Sequence, residues 1–310
     1  MELSLFDLHC DTANEMLRQK QKLTDNCLAV SLQKASVFSP YVQVMAHWTA
    51  YRLTDEEGWT RFCQMQDNLL QDPALQGGDA RVITEWERSP ARPTLILAVE
   101  DARILAGKPE RVRELYDRGV RILTPLWKGE TCIGGSHDTA TGLTEFGKRA
   151  LTEAVRLGMI PDISHASVES AEEIFAICRD QRRPVIASHS NAYTVCPVSR
   201  NLRDEQIREI IRSDGIIGIN LYQGFLREDG NATAADALPH IEYLLEQGAR
   251  AHLGLGCDMD GCDLPPDIPD VSALPHLAEL MLQQNYPEQL IRDVFYGNAA
   301  RFAQKHLKLN

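Results

Sequence analysis

Over residues 6–11 the chain alternates one by one: Phe6, Leu8 and Cys10 are apolar, and Asp7, His9 and Asp11 between them are ionisable. A period of two is that of a strand, and it predicts an apolar face and a polar, half-exposed face on an edge strand. Apolar runs of strand length recur at 41–48, Thr94–Glu100, Val120–Thr124, 159–164, 184–188, 215–220 and 252–257. Between and after them, apolar residues at helical spacing predict helices over 13–20, Asp55–Leu70, 109–118, 144–157, 168–179, 204–213, 234–247, 271–284, 287–296 and Asn298–His306. Thr54 with Glu57 has the pattern of a capping box, Pro109 opens one helix and Gly158 closes another. Residues 14–39 are mostly polar and irregular, and 128–141 form a Gly-rich loop suited to covering a site.

Strands that alternate with helices pair in parallel, because each return needs a crossover. Eight such strands predict a single α/β domain over 1–310, a (β/α)8 TIM-like barrel whose working residues sit at the C-terminal ends of the strands. An open doubly wound sheet is the alternative, but no Gly-rich phosphate loop follows an early strand.

Composition narrows the classes of function. With 44% hydrophobic and 25% charged residues the 310-residue chain has ordinary globular proportions. A net charge of -12 speaks against nucleic acid and anionic membrane as partners. There is no apolar run of membrane-spanning length, and no basic region followed by an apolar run at the start. The 8 cysteines include no CxxC pair, and Cys257 and Cys262 have the wrong spacing for a zinc knuckle. They predict reduced thiols in a cytoplasmic protein.

The ends of the strands carry the chemistry. His9 and Asp11 end the first strand, Glu100 the third, His165 the fifth, His189 the sixth and Asp258 the eighth. An imidazole and a carboxylate two residues apart can reach one cation. Ser164-His165 and Ser188-His189 are near-duplicates, each an apolar strand followed by Ser-His. One Ser-His is most often a helix cap beside a satisfied histidine. Two on successive strands, with His9-x-Asp11 already present, point to metal. Asp258 follows Gly254 and Gly256 on one face, which leaves room beside it for a ligand or a proton shuttle. Three histidines and three carboxylates exceed the needs of one zinc and suit two metals sharing a carboxylate.

These segments, in this order, resemble the membrane dipeptidase (renal dipeptidase) family of zinc peptidases, peptidase family M19. The matching stretches are Asp7-x-His9-x-Asp11, Val99-Glu100, Gly142 through Gly147, Ile163-Ser164-His165, Ser188-His189-Ser190, Arg200-Asn201-Leu202, Gly256 through Gly261 and Gly297-Asn298. The resemblance implies a metallo-dipeptidase with two Zn2+, His9 and Asp11 on one, His165 and His189 on the other, and Glu100 bridging. It implies a hydroxide between the metals as nucleophile, Asp258 as proton shuttle, and Arg200 as clamp for the C-terminal carboxylate of a small dipeptide, L,D forms included. A homodimer is implied as well. Trp127 and Tyr222 are assigned to the substrate side. Trp127 departs from the family, whose best-known members carry a histidine after the fourth strand; its indole offers only a donor. His137, in the Gly-rich loop, is a candidate substitute or simply an exposed loop histidine. The rival expectations are an amidohydrolase acting on another amide, lactam or lactone, and a non-catalytic metal or ligand sensor.

Overall fold

A computed structural model describes residues 2–87 and 90–307. Its strands are β1 (Leu3–Cys10), β2 (Phe38–Trp48), β3 (Arg81–Val82), β4 (Thr94–Glu100), β5 (Val120–Thr124), β6 (Ile160–Pro161), β7 (Ile217–Ile219) and β8 (Leu253–Leu255). They form one curled parallel sheet in the order β6-β5-β4-β2-β1-β8-β7, with β3 added to β4. Helices follow most strands, as the alternation predicts.

The first strand is a correction. It is no edge strand: it lies between β2 and β8, and Asp7 and His9 are as buried as its apolar residues. The register slips between Asp7 and Cys10, a bulge that breaks the simple alternation. Phe6 and Leu8 belong to one apolar cluster and Cys10 to another. Asp7 therefore does not join His9 and Asp11. Its carboxylate accepts from Gln43 Nε2 at 3.0 Å and from the Cys257 N–H at 2.8 Å.

The sixth predicted strand, 184–188, is not a regular strand. It makes one-residue parallel bridges instead, Ile186 to Asp162 beyond β6 and Ala187 to Ile217 in β7. The cause is local: the N–H groups of Ser164 and Ser188 turn to the Asp162 side chain, at 3.0 and 2.9 Å, rather than into a ladder. The two-residue β3 was not predicted. The helices come close to expectation, with Thr54 and Glu57 forming the capping box and Gly158 in the left-handed conformation at its helix end. Within 14–39 a short helix, Leu32–Ala35, interrupts the loop.

Two apolar layers hold this frame. Phe6, Leu8, Val42, Val44, Ile96, Ile122, Ile160, Ile186 and Ile216 fill one side of the sheet, floored by Phe302 and Leu307 of the C-terminal segment. The larger cluster fills the space between sheet and helices. Each such side chain contributes about 1.5–3 kcal/mol on burial. That layer offsets the cost of the ionisable groups gathered at the C-terminal ends of the strands.

Candidate metal centre

His9, Asp11, Glu100, His165, His189 and Asp258 come together at or just beyond the ends of β1, β4, β6, the 184–188 segment and β8. Glu100 stands in the middle. Its Oε1 lies 2.8 Å from His165 Nε2 and 3.4 Å from His189 Nε2, and its Oε2 lies 3.5 Å from His9 Nε2. His9 Nε2 is also 3.6 Å from Asp11 Oδ2 and 3.8 Å from Asp258 Oδ1. The ring of His9 stacks on that of His189 with centroids 3.7 Å apart. The ligand atoms fall into three overlapping sets, each within 4.8 Å: His9, Asp11 and Glu100; Glu100, His165 and His189; His9, His189 and Asp258.

The donor chemistry fits divalent cations. His9 Nε2 and Asp11 Oδ1 are buried without a hydrogen-bond partner, a state that costs free energy unless a ligand completes it. His165 Nδ1 lies 3.1 Å from the Trp127 carbonyl, which can only accept. That bond puts the ring proton on Nδ1 and leaves a bare lone pair on Nε2, 3.0 Å from His189 Nε2 and beside Glu100. A cation between these atoms would turn crowding into coordination.

The protonation pattern of the metal-free site shows the same need. Burial raises Asp11 to about 7 and Asp258 to about 6, with the negative Glu100 adding to both shifts. Burial alone would lower His9, but Glu100 and Asp11 outweigh it and hold the imidazole well above its usual value. Burial would raise Glu100, yet His9 and His165 keep it well below. Burial lowers His165 to about 4 and holds His189 well below its usual value too.

Local backbone aims the eighth-strand end. Asp258 and Asp260 both have positive φ, 61° and 65°, a costly conformation for residues other than glycine. Asn220 Nδ2 donates to Asp258 Oδ2 at 3.0 Å. Asn220 was missed in the sequence, although a polar residue closing the seventh predicted strand was a usable signal. Asp260 turns away from the metal ligands. It accepts from Thr12 Oγ1 at 2.6 Å and from the Ala29 and Val30 N–H groups, pinning the 14–39 segment to the rim.

Of the substrate-side residues, Arg200 is buried beside His189: Nη1 donates to Ser190 Oγ at 2.9 Å and Nη2 to the His189 carbonyl at 3.0 Å. Its Nε has no partner, and burial lowers its pKa to about 10. Arg200, His137, Ser167 and Ser199 line a cavity of about 220 Å³. His137 is half-buried rather than exposed, with its ring 5.9 Å from that of His165 and Nδ1 3.0 Å from Ser199 Oγ. Trp127 packs against Trp48 at 5.0 Å, Tyr51 at 6.0 Å and His165 at 6.2 Å. Tyr222 stands apart, on a second cavity of about 630 Å³ that Cys27, Leu28 and Ala29 of the 14–39 segment also line. Among the described residues no helix is long and apolar enough to cross a membrane, and all 8 cysteines are free.

Residues 1–308 match the family described as membrane dipeptidase (peptidase family M19). An uncharacterized Klebsiella pneumoniae protein from a pqqA 5' region is 31% identical over 67% of this chain and 80% of its own length. The dipeptidase aclJ of Aspergillus oryzae is 32% identical over 72% of this chain, which spans only 54% of that longer protein. A metallopeptidase from Rhodobacter sphaeroides, solved with a phosphinate mimic of the dipeptide L-Ala-D-Ala, superposes with a TM-score of 0.90 at 25% identity, covering 99% of this chain and 100% of that one. The chain belongs to the membrane dipeptidase family, peptidase family M19.

Proposed function

We propose that this metal-dependent dipeptidase works as one (β/α)8 domain holding two Zn2+, with His9 and Asp11 on one ion, His165 and His189 on the other, and Glu100 shared. The observation that carries the metal assignment is the pair of ligand sets joined at Glu100. The closed barrel is supported by the bridges of Ile186 to Asp162 and of Ala187 to Ile217, which link β6 and β7 through one further stave.

When bound, such a metal pair supplies Lewis acidity toward a carbonyl oxygen and makes water a better acid. The chain supplies the rest. Asp258 takes the proton of the attacking water and passes it to the leaving amine, a role that fits a carboxylate standing beside His9 and His189 at the edge of the ligand set. Asn220 holds that carboxylate in place through Oδ2 and leaves Oδ1 toward His9. Arg200 receives the C-terminal carboxylate of the substrate, and its burial excludes a chain that continues past that point. Trp127, packed against His165, bounds the space for the substrate side chains, with L,D dipeptides accepted as well as L,L, while Tyr222 lies on the other cavity and is left out of this site.

The test is hydrolysis of a panel of L,L and L,D dipeptides by protein of measured zinc content, beside His189→Ala. Two zincs per chain and turnover that disappears in the variant are expected. Two bound zincs with no dipeptide turned over would sink the substrate assignment; protein that takes up no zinc would sink the metal assignment.

A further inference from the structure

The two Ser-His pairs invite comparison because neither serine does what its motif suggests. Both hydroxyls turn to one buried carboxylate, Asp162, which directly follows β6. Asp162 Oδ1 accepts from Ser164 N at 3.0 Å, Ser164 Oγ at 2.6 Å and Ser188 N at 2.9 Å. Its Oδ2 accepts from Thr124 Oγ1 at 2.6 Å and Ser188 Oγ at 2.5 Å. Asp162 itself is fully buried, with exposure of 0%. A carboxylate buried so deeply among donors is costly to build, and it touches none of the candidate metal ligands' ring atoms.

Its effect passes through Ser188. That hydroxyl also lies 2.7 Å from His189 Nδ1. A hydroxyl has one proton. With that proton given to Asp162 Oδ2, Ser188 Oγ can only accept from His189, so the ring must carry its proton on Nδ1. His189 Nε2, 3.4 Å from Glu100 Oε1 and 3.0 Å from His165 Nε2, is then left as a lone pair. Ser164 completes the clamp, because its Oγ accepts from the His189 N–H at 3.1 Å. His165 obtains the same tautomer from the Trp127 carbonyl.

We propose that Asp162 is a positioning residue: through Ser188 it fixes His189 in the tautomer that presents Nε2 to a metal, and through Ser164 it fixes the backbone on which that ring is mounted. This rests on His189 being a metal ligand. The general design, a carboxylate behind a ligating imidazole, is familiar; here a serine is interposed.

Asp162→Asn separates the idea from simple loss of packing. An amide nitrogen at the Oδ2 position donates to Ser188 Oγ instead of accepting from it. The serine proton is released to point at His189 Nδ1, and the ring proton moves to Nε2, where it blocks the metal. The tautomer is read on metal-free protein labelled with 15N in its histidines, by long-range 1H–15N correlation, and zinc affinity by competition with a chelating dye.

The native protein should show His189 protonated on Nδ1. Asp162→Asn should show it on Nε2, with the weaker zinc bound about 10- to 100-fold less tightly. Unchanged tautomer in the variant overturns the proposal, whether or not zinc is lost, and so does a native His189 protonated on Nε2. Should Asp162→Asn fail to fold, Ser188→Ala serves: the ring proton loses its fixed acceptor, and the same loss of affinity is expected; native zinc affinity there overturns the proposal. Native protein that binds no zinc refutes the two-metal function, while the tautomer measurement still judges Asp162 on its own.

Discussion

Arg200 shows how one side chain can be both part of the frame and a means of recognition. Two of its nitrogens are spent on Ser190 and the His189 carbonyl, so it braces the backbone of a candidate metal ligand. Its third nitrogen, Nε, is buried without a partner, and an unpaired cationic donor is a standing invitation to an anion. Lysine keeps the charge but not the planar fork. Arg200→Lys is therefore expected to raise KM for dipeptides by about 10- to 100-fold, the equivalent of ~1.5–3 kcal/mol for a hydrogen bond to a charged group, with a smaller effect on kcat. Dipeptide amides, which lack the terminal charge, should be poor substrates for both proteins and should not discriminate between them. Equal losses on acids and amides would show that Arg200 acts only as a brace. Trp127 is a second case of divided duty, because its carbonyl sets His165 while its ring lies against Trp48 and Tyr51. The backbone part of that role survives any substitution that keeps the chain's path, so Trp127→His should retain the zinc content of the native protein while altering side-chain preference across the panel. Loss of zinc in that variant would contradict the separation of the two duties.

At the scale of elements, what could be read in the sequence was where the strands end. Glu100, His165, His189 and Asp258 each follow an apolar run, and the rule that parallel α/β folds work at those ends was enough to gather them. What could not be read were the places where a side chain competes with the ladder. The bulge in β1 depends on pairing with both β2 and β8, so nothing in the alternation of 6–11 separates Asp7, which braces Gln43 and Cys257, from His9 and Asp11. The irregular 184–188 segment likewise follows from Asp162, whose hold on Ser188 is a contact across 26 residues. The turn after β8 carries a further constraint of this kind. A Cβ added at Gly261 would stand 2.0 Å from Asp11 Oδ2 and 2.7 Å from Asp258 Oδ1. Backbone thus comes up against both carboxylates at once, and their separation is set partly by the absence of a side chain there. Gly261→Ala is expected to push them off their positions and to lower kcat by about 100-fold, the cost of a shift near 1 Å at a reacting centre. A thermal midpoint near the native value would show that the fold survives. Full activity in this variant would mean that the turn relaxes without moving either carboxylate.

For the whole molecule, the candidate metal centre is an electrostatic liability that metal should relieve. In the metal-free protein Asp11 titrates at about 7 and Asp258 at about 6, both above the ordinary value of 3.8, through burial and the neighbouring Glu100. A carboxylate whose pKa is raised by folding costs stability as pH climbs from its unfolded pKa to its folded one, since the unfolded chain ionises first. His9 acts in the same direction: its pKa is raised well above 6.5, so its contribution is full in acid and is lost as pH rises through the folded value. Glu100, held low, loses its contribution only in acid below this window. Asp11 and His9 therefore make the metal-free protein less stable as pH rises from about 6 to 8, the Asp258 cost being complete near pH 6 and the lowered His165 and His189 acting the other way only below their ordinary value of 6.5. Zinc binding demands the deprotonated ligands, so the loaded protein gains over the same range. The gap in Tm between zinc-loaded and chelator-treated protein is expected to widen from pH 6 to pH 8. At 100 times the dissociation constant, free zinc contributes about 2.7 kcal/mol. Calorimetry of zinc binding in two buffers of different ionisation enthalpy should show more protons released per zinc at pH 6 than at pH 8. A Tm gap independent of pH, with no proton release at pH 6, would mean that His9, Asp11 and Asp258 are already deprotonated in the free protein, and that the cluster is held together by something other than the metal it is shaped to take.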